Sequence, residues 1–175
     1  MDLLGRAPSP DEYRAAAGLA QDELLDKLVR CEEHFETWYE EQLYYFLLLD
    51  NFHPATERLT SIPKRLSAGA LTLPDAVHEI VISQYFNHRN PGNDTYVTVI
   101  LEQLLGMVVQ DQPMLLKAGK QMYDGYEGKL FNEPGASQAD LVSIVLKQRR
   151  FHELLLQRLH RSTTGEAIPA VLLEQ

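Results

Sequence analysis

The stretch Asp22–Asp50, DELLDKLVRCEEHFETWYEEQLYYFLLLD, limits what this chain can fold into more than any other. Advancing about 100° per residue from Leu24 puts Leu28, Cys31, Phe35, Trp38, Tyr39, Phe46 and Leu49 on one broad stripe. Asp22, Asp26, Glu33, Glu36 and Glu40 fall opposite, which is the pattern of an amphipathic helix. At about 1.5 Å per residue such a helix spans roughly 40 Å, most of the width of a small domain. Its second half changes character, because Leu43–Leu49 is apolar without a break and Tyr44, Leu47 and Leu48 leave the stripe. A helix that is apolar all round is buried all round. This end is therefore expected to be enclosed by other helices, with Trp38 buried.

Local signals divide the rest of the chain. Ser9-Pro10-Asp11-Glu12 reads as a capping box with proline at the first helical position, and Gly18 ends or bends that helix. Pro54 stops the long helix near Asn51, and residues 54–72 leave room for one or two helical turns. Thr72-Leu73-Pro74-Asp75 caps a helix whose inner side carries Val77, Ile80, Val81 and Gln84, before the turn at residues 90–93. Residues 94–111 contain the β-branched run Val97-Thr98-Val99-Ile100, yet Tyr96, Ile100, Gln103, Met107 and Gln110 repeat at helical spacing, so a helix is expected. A further helix starts at Asp111-Gln112-Pro113, and within it Ala118-Gly119 removes bulk as if a neighbouring helix came close. Residues 132–135 read as a turn. Ser137-Gln138-Ala139-Asp140 caps a last helix running to about Arg161.

These signals predict an all-α fold: a single-domain bundle of five to seven helices around the long central helix of about residues 22–50, with no strand pair. Residues 1–8 are read as a flexible N-terminus and residues 165–175 as a short apolar tail. A chain of 175 residues, 45% hydrophobic and 23% charged, is long enough and ordinary enough to form one core unaided. Its one cysteine, Cys31, excludes an internal disulfide. The first residues lack the basic flank and apolar run of a signal peptide, and no apolar run is long enough to cross a bilayer, so a cytoplasmic protein is expected. The net charge of −9 is concentrated in the N-terminal third, while the last helix is slightly basic. An acidic chain repels nucleic acid and anionic lipid, so neither is expected as a partner.

No short motif carries chemistry. A di-iron bundle needs Glu-x-x-His, and the nearest approximations, Asp50-x-x-His53 and Asp75-x-x-His78, straddle a helix end and a helix cap. No metal and no cofactor is expected. Gly135-Ala136-Ser137-Gln138-Ala139 lacks the strand that a nucleophile elbow requires, and Gly125–Lys129 lacks the Ser or Thr of a P-loop. No catalytic residue is therefore assigned. Residues 72–105 resemble a helix-turn-helix in outline only, with one basic residue, Arg89, where DNA contacts need several.

Two function classes remain. The first is a non-catalytic protein–protein interaction module: an adaptor, regulatory subunit or assembly factor. Its expected docking strip is a row on the last helix, Lys147, Arg150, Leu154, Arg158 and Arg161, an apolar leucine framed by cations. The strip would meet an acidic helix, on another protein or on the Asp22–Glu40 face of a second copy. The second is a small-molecule-binding or catalytic bundle. Here Gln148 and His152 stand amid Leu141, Ile144, Val145, Leu155 and Leu159 on an inward face, and they would line a pocket with Trp38 and Tyr45. A buried imidazole needs a partner, and a satisfied core histidine is the plainer reading of His152.

Overall fold

Helices begin where the capping chemistry places them in this computed structural model, which describes residues 6–49 and 52–168. Ser9 Oγ accepts from the Glu12 backbone N–H at 3.2 Å while the Glu12 carboxylate accepts from Ser9 N–H at 2.7 Å, starting α1 (Pro10–Ala16). The next four are α2 (Gln21–Val29), α3 (Glu32–Leu47), α4 (Glu57–Thr60) and α5 (Ile62–Ser67). The Thr72–Asp75 box opens α6 (Leu73–Val81), with Thr72 N–H donating to the Asp75 carboxylate at 3.2 Å. Then follow α7 (Gln84–Arg89), α8 (Asn93–Leu105), a 3-10 turn (Val109–Asp111) and α9 (Pro113–Tyr123). A hairpin of β1 (Gly128–Leu130) and β2 (Glu133–Gly135) precedes α10 (Gln138–Leu146) and α11 (Arg149–Thr164). Eleven α-helices and one short hairpin among the described residues make the fold all-α. Residues 1–5 and 169–175, which include most of the expected flexible start and apolar tail, lie outside the described residues. The chain divides into two compact units, and the division falls within α6, after Val77.

In the first unit the helix expected over about residues 22–50 is interrupted. Arg30 closes α2, and Cys31 is extended at the N-cap of α3 with φ −74 and ψ 156. The interruption has its own hydrogen bonds: Ser67 Oγ donates to the Arg30 carbonyl at 3.0 Å, and Cys31 Sγ to the Leu28 carbonyl at 3.0 Å. A residue far along the chain thus takes a carbonyl that a continuous helix would have used. α3 packs against α5. Trp38, Tyr39, Leu43, Phe46 and Leu47 are buried along it, as are Leu59, Ile62 and Leu66 in α4 and α5. Trp38 is 4% exposed, as its place on the stripe implied.

The second unit is built on α8, which contacts α9, α10 and α11. Tyr96, Val97, Ile100, Leu101 and Leu104 are fully buried along it. That i, i+4 repeat, sheltered by three helices, outweighs the strand preference of its β-branched run. Gly119 of α9 is where the neighbours come close, because a Cβ there would stand 2.5 Å from Val97 Cγ1 and 3.2 Å from Leu141 Cδ1. One helix was expected between Thr72 and residue 90. Instead Ser83 caps a new one, its Oγ accepting from the Phe86 N–H, so Gln84 starts α7 and is exposed rather than lining the inner side.

Two more expectations are corrected here. Residues 132–135 are not a bare turn, since Lys129 pairs with Pro134 and Leu130 with Glu133 across an antiparallel hairpin. Its two loop residues, Phe131 and Asn132, have φ of 48 and 67, the geometry of a type I′ turn. Three-residue strands, a proline in one of them and Phe-Asn in place of Asn-Gly hide this from sequence reading. The last helix is also broken: Lys147 closes α10, and Gln148 is extended at the cap of α11 with ψ 135. The Gln148 side chain donates to the Ile144 carbonyl at 2.9 Å and holds the bend. This break resets the helical phase. Among the described residues of α11, Phe151 and Leu155 are buried, and His152 is exposed, not part of an inward face.

Candidate functional site

The cationic row of the last helix is not a free strip. Lys147 Nζ pairs with Glu133 at 2.6 Å. Arg150 Nε donates to the Leu105 carbonyl and its NH2 group to the Gly106 carbonyl, the latter at 2.9 Å, so this guanidinium closes the C-terminal end of α8. Carbonyls there have no intrahelical partner, and the helix dipole favours a cation beside them. Leu154 is half-buried against Gly106, Arg158 is half-buried, and Arg161 is exposed in the last turn. Arg150 therefore carries structure.

The residues expected to line a pocket are divided between the units. Trp38 is buried and Tyr45 half-buried in the first; Gln148 is half-buried and His152 exposed in the second. Within neither unit do the four assemble.

A Ser–His contact lies where no motif pointed. His78 Nε2 is 3.2 Å from Ser143 Oγ, but it is also 3.3 Å from the Ala139 carbonyl. A serine nucleophile needs an imidazole nitrogen free to take its proton. A carbonyl at that nitrogen instead favours the N–H tautomer, so the contact ties α6 to α10. An open depression of about 680 Å³ lies beside the hairpin, bordered by Gln121, Glu127, Lys129 and Asp140. The Asp140 carboxylate is engaged there, accepting from Ala136 N–H at 3.0 Å. That bond and the Ser137 hydroxyl hold its carboxyl below the usual aspartate range. Among the described residues, no group of three His, Cys, Asp or Glu side chains stands together as metal ligands would.

The feature that calls for an explanation is the C-terminal end of α3. It was expected to be enclosed all round; Leu43, Phe46 and Leu47 are buried, and its other side is not. Tyr44 is 52% exposed, Leu48 56% and Leu49 45%. Leu48 terminates the helix in the left-handed conformation, φ 54 and ψ 37, with its N–H donating to the Tyr44 carbonyl at 2.8 Å. Glycine is the usual residue at such a terminus, because a Cβ makes that conformation cost about 1–2 kcal/mol. The left-handed turn swings Leu48 and Leu49 off the helix, so the unbroken apolar run ends on the surface instead of inside. Upstream on α3, Glu32, Glu36 and Glu40 are exposed in steps of four residues that lead to Tyr44 and Leu48. Beside them, partial desolvation pushes the Glu41 carboxyl up, opposed by the charge of His34. The sequence signal was available: Tyr44 and Leu48 leave the stripe on the side where the acids lie.

No protein-family model, curated protein or solved structure matches this chain. Among the described residues no helix is long and apolar enough to cross a membrane.

Proposed function

We propose that this chain is a non-catalytic protein–protein interaction module, an adaptor, regulatory subunit or assembly factor, that docks its partner on the C-terminal end of α3. The observation that carries this reading is the exposure of Tyr44, Leu48 and Leu49 around a leucine held in the left-handed conformation. For the isolated chain both features are costs. The backbone geometry costs about 1–2 kcal/mol, and each leucine left in water forgoes up to about 1.5–3 kcal/mol of burial. A partner that covers this end recovers the second cost, and apolar surface rimmed by polar residues is the usual form of an interaction site. The alternative of a small-molecule pocket around His152 draws no support from that residue's exposure.

The test is photo-crosslinking in the cells that make the protein, with a benzophenone side chain introduced at Tyr44 in one version and at Tyr13 in another. Tyr13 is a matched control, an aromatic residue of the same unit that is 71% exposed. A discrete protein adduct from Tyr44 that is absent from Tyr13 is the expected result. No adduct from Tyr44, or the same adducts from both positions, overturns the proposal.

A further inference from the structure

The apolar end of α3 is the upper part of a longer ridge whose lower part has a definite charge. Glu32, Glu36, Glu40 and Tyr44 follow one another along α3 at four-residue steps, the spacing that makes side chains neighbours on a helix surface, and Leu48 follows them as the residue that caps the helix. All five are exposed. Nearby acids have cations of their own: Glu33 lies 3.7 Å from Arg6, and Asp26 pairs with Arg30 at 2.7 Å. Glu32, Glu36 and Glu40 have no ion-pair or hydrogen-bond partner among the described residues. Glu32 sits in the first turn, where the helix dipole favours an acid. Glu36 and Glu40 lie beyond it, and like charges four residues apart repel. The ridge thus holds a short run of uncompensated negative charge that leads directly onto exposed apolar side chains. Its complement is a segment with cations at the same repeat followed by apolar residues. The cationic residues Lys147, at the end of α10, and Arg150, on α11, of a second copy are a poor candidate, because both are already engaged within the chain.

We infer, resting on the docking reading above, that the partner offers a basic amphipathic helix, with its Lys or Arg side chains on Glu32, Glu36 and Glu40 and its apolar side chains over Tyr44 and Leu48. Such a segment presents its anchors at the i, i+4 repeat that a helix ridge can match. The charged half sets association rate and choice of partner, and it weakens with salt; the apolar half supplies the lasting contact.

The probe is a fluorescein-labelled helical peptide with lysines at four-residue steps and leucines on its last two turns, titrated with the full chain by anisotropy. Its control is the same peptide with glutamate in place of lysine. The lysine peptide is expected to bind and the glutamate peptide not to, with affinity falling about tenfold as NaCl rises from about 50 to about 500 mM. Glu32→Gln/Glu36→Gln/Glu40→Gln is expected to weaken binding about tenfold and flatten the salt dependence, with unchanged circular dichroism. If the triple variant binds as well as the parent while Tyr44→Ser/Leu48→Ser abolishes binding, the docking end stands and the basic partner is refuted. If neither peptide binds, or neither set of substitutions matters, the inference is refuted, and the crosslinking comparison judges the docking end independently. Retention of the chain on phosphatidylcholine vesicles without peptide binding overturns it in favour of a lipid surface.

Discussion

Replacing Gly119 by alanine sets two effects of known size against each other. In an exposed helix interior the change favours folding by about 1 kcal/mol, since glycine is the poorer helix former. In α9 the new Cβ would meet Val97 Cγ1 at 2.5 Å and Leu141 Cδ1 at 3.2 Å. Carbon atoms pack best at about 3.5–4.0 Å, so the valine would have to retreat by about 1 Å. Val97 is fully buried and β-branched on a helix, where one χ1 rotamer dominates, so rotation offers no escape and α8 and α9 must separate. Overpacking of this kind costs about 1–3 kcal/mol. Clash outweighs propensity, and the net expectation is a loss of up to about 2 kcal/mol, or a fall in Tm of up to roughly 10 °C for a unit of this size. Urea and thermal unfolding followed by far-UV circular dichroism would measure it. Pairing the change with Val97→Ala should cost less than the sum of the two, because the smaller side chain makes room. A rise in Tm for Gly119→Ala, or strict additivity with Val97→Ala, would refute the reasoning.

Arg150→Glu should destabilise the second unit by about 1–3 kcal/mol, since it removes charge-assisted bonds to the Leu105 and Gly106 carbonyls and puts a like charge at a helix C-terminus; urea unfolding tests this against Arg161→Glu, which makes only the dipole change in the last turn of α11 and should cost less, about 0.3–1 kcal/mol. Asp140 has a folded-state pKa held below its unfolded value, so what it contributes is present above the unfolded pKa and lost as pH falls through the folded one. Protection factors for hydrogen exchange in the first turn of α10, taken against the intrinsic rate at each pH, should fall in acid below the ordinary aspartate range, and in Asp140→Asn they should be low already at neutral pH; a first turn equally protected in both proteins would contradict this.

What the sequence revealed was mostly local. The boxes at Ser9 and Thr72 and the Ser137 cap were legible because a cap is settled by residues three positions apart. Gly119 was legible because a small residue inside a helix has few reasons to be there. The breaks at Cys31 and Gln148 were not, since extended stretches at both places carry no proline or glycine, and the first is held by Ser67 from far along the chain. An unseen break also shifts every face drawn beyond it. That is why His152 was drawn inward and Phe151 was overlooked, and why the bonds of the exposed Arg150 to the end of α8 were not foreseen. At the candidate site the acidic side of the long helix and its apolar end were both visible. The left-handed termination at Leu48, which exposes that end, was not, because leucine is a residue that rarely adopts it.

Leu48→Gly separates docking from folding in one protein. The substitution relieves a backbone cost of about 1–2 kcal/mol, gives back about 0.5–1 kcal/mol in unfolded-state entropy, and removes a side chain that is more than half exposed. Stability should therefore stay level or rise slightly. The decisive measurement is the yield of the Tyr44 crosslinked adduct in this variant, under conditions where circular dichroism shows it folded. A several-fold loss of adduct at equal or higher Tm is the predicted result; an undiminished adduct would contradict the assignment of this end of α3 as the docking surface.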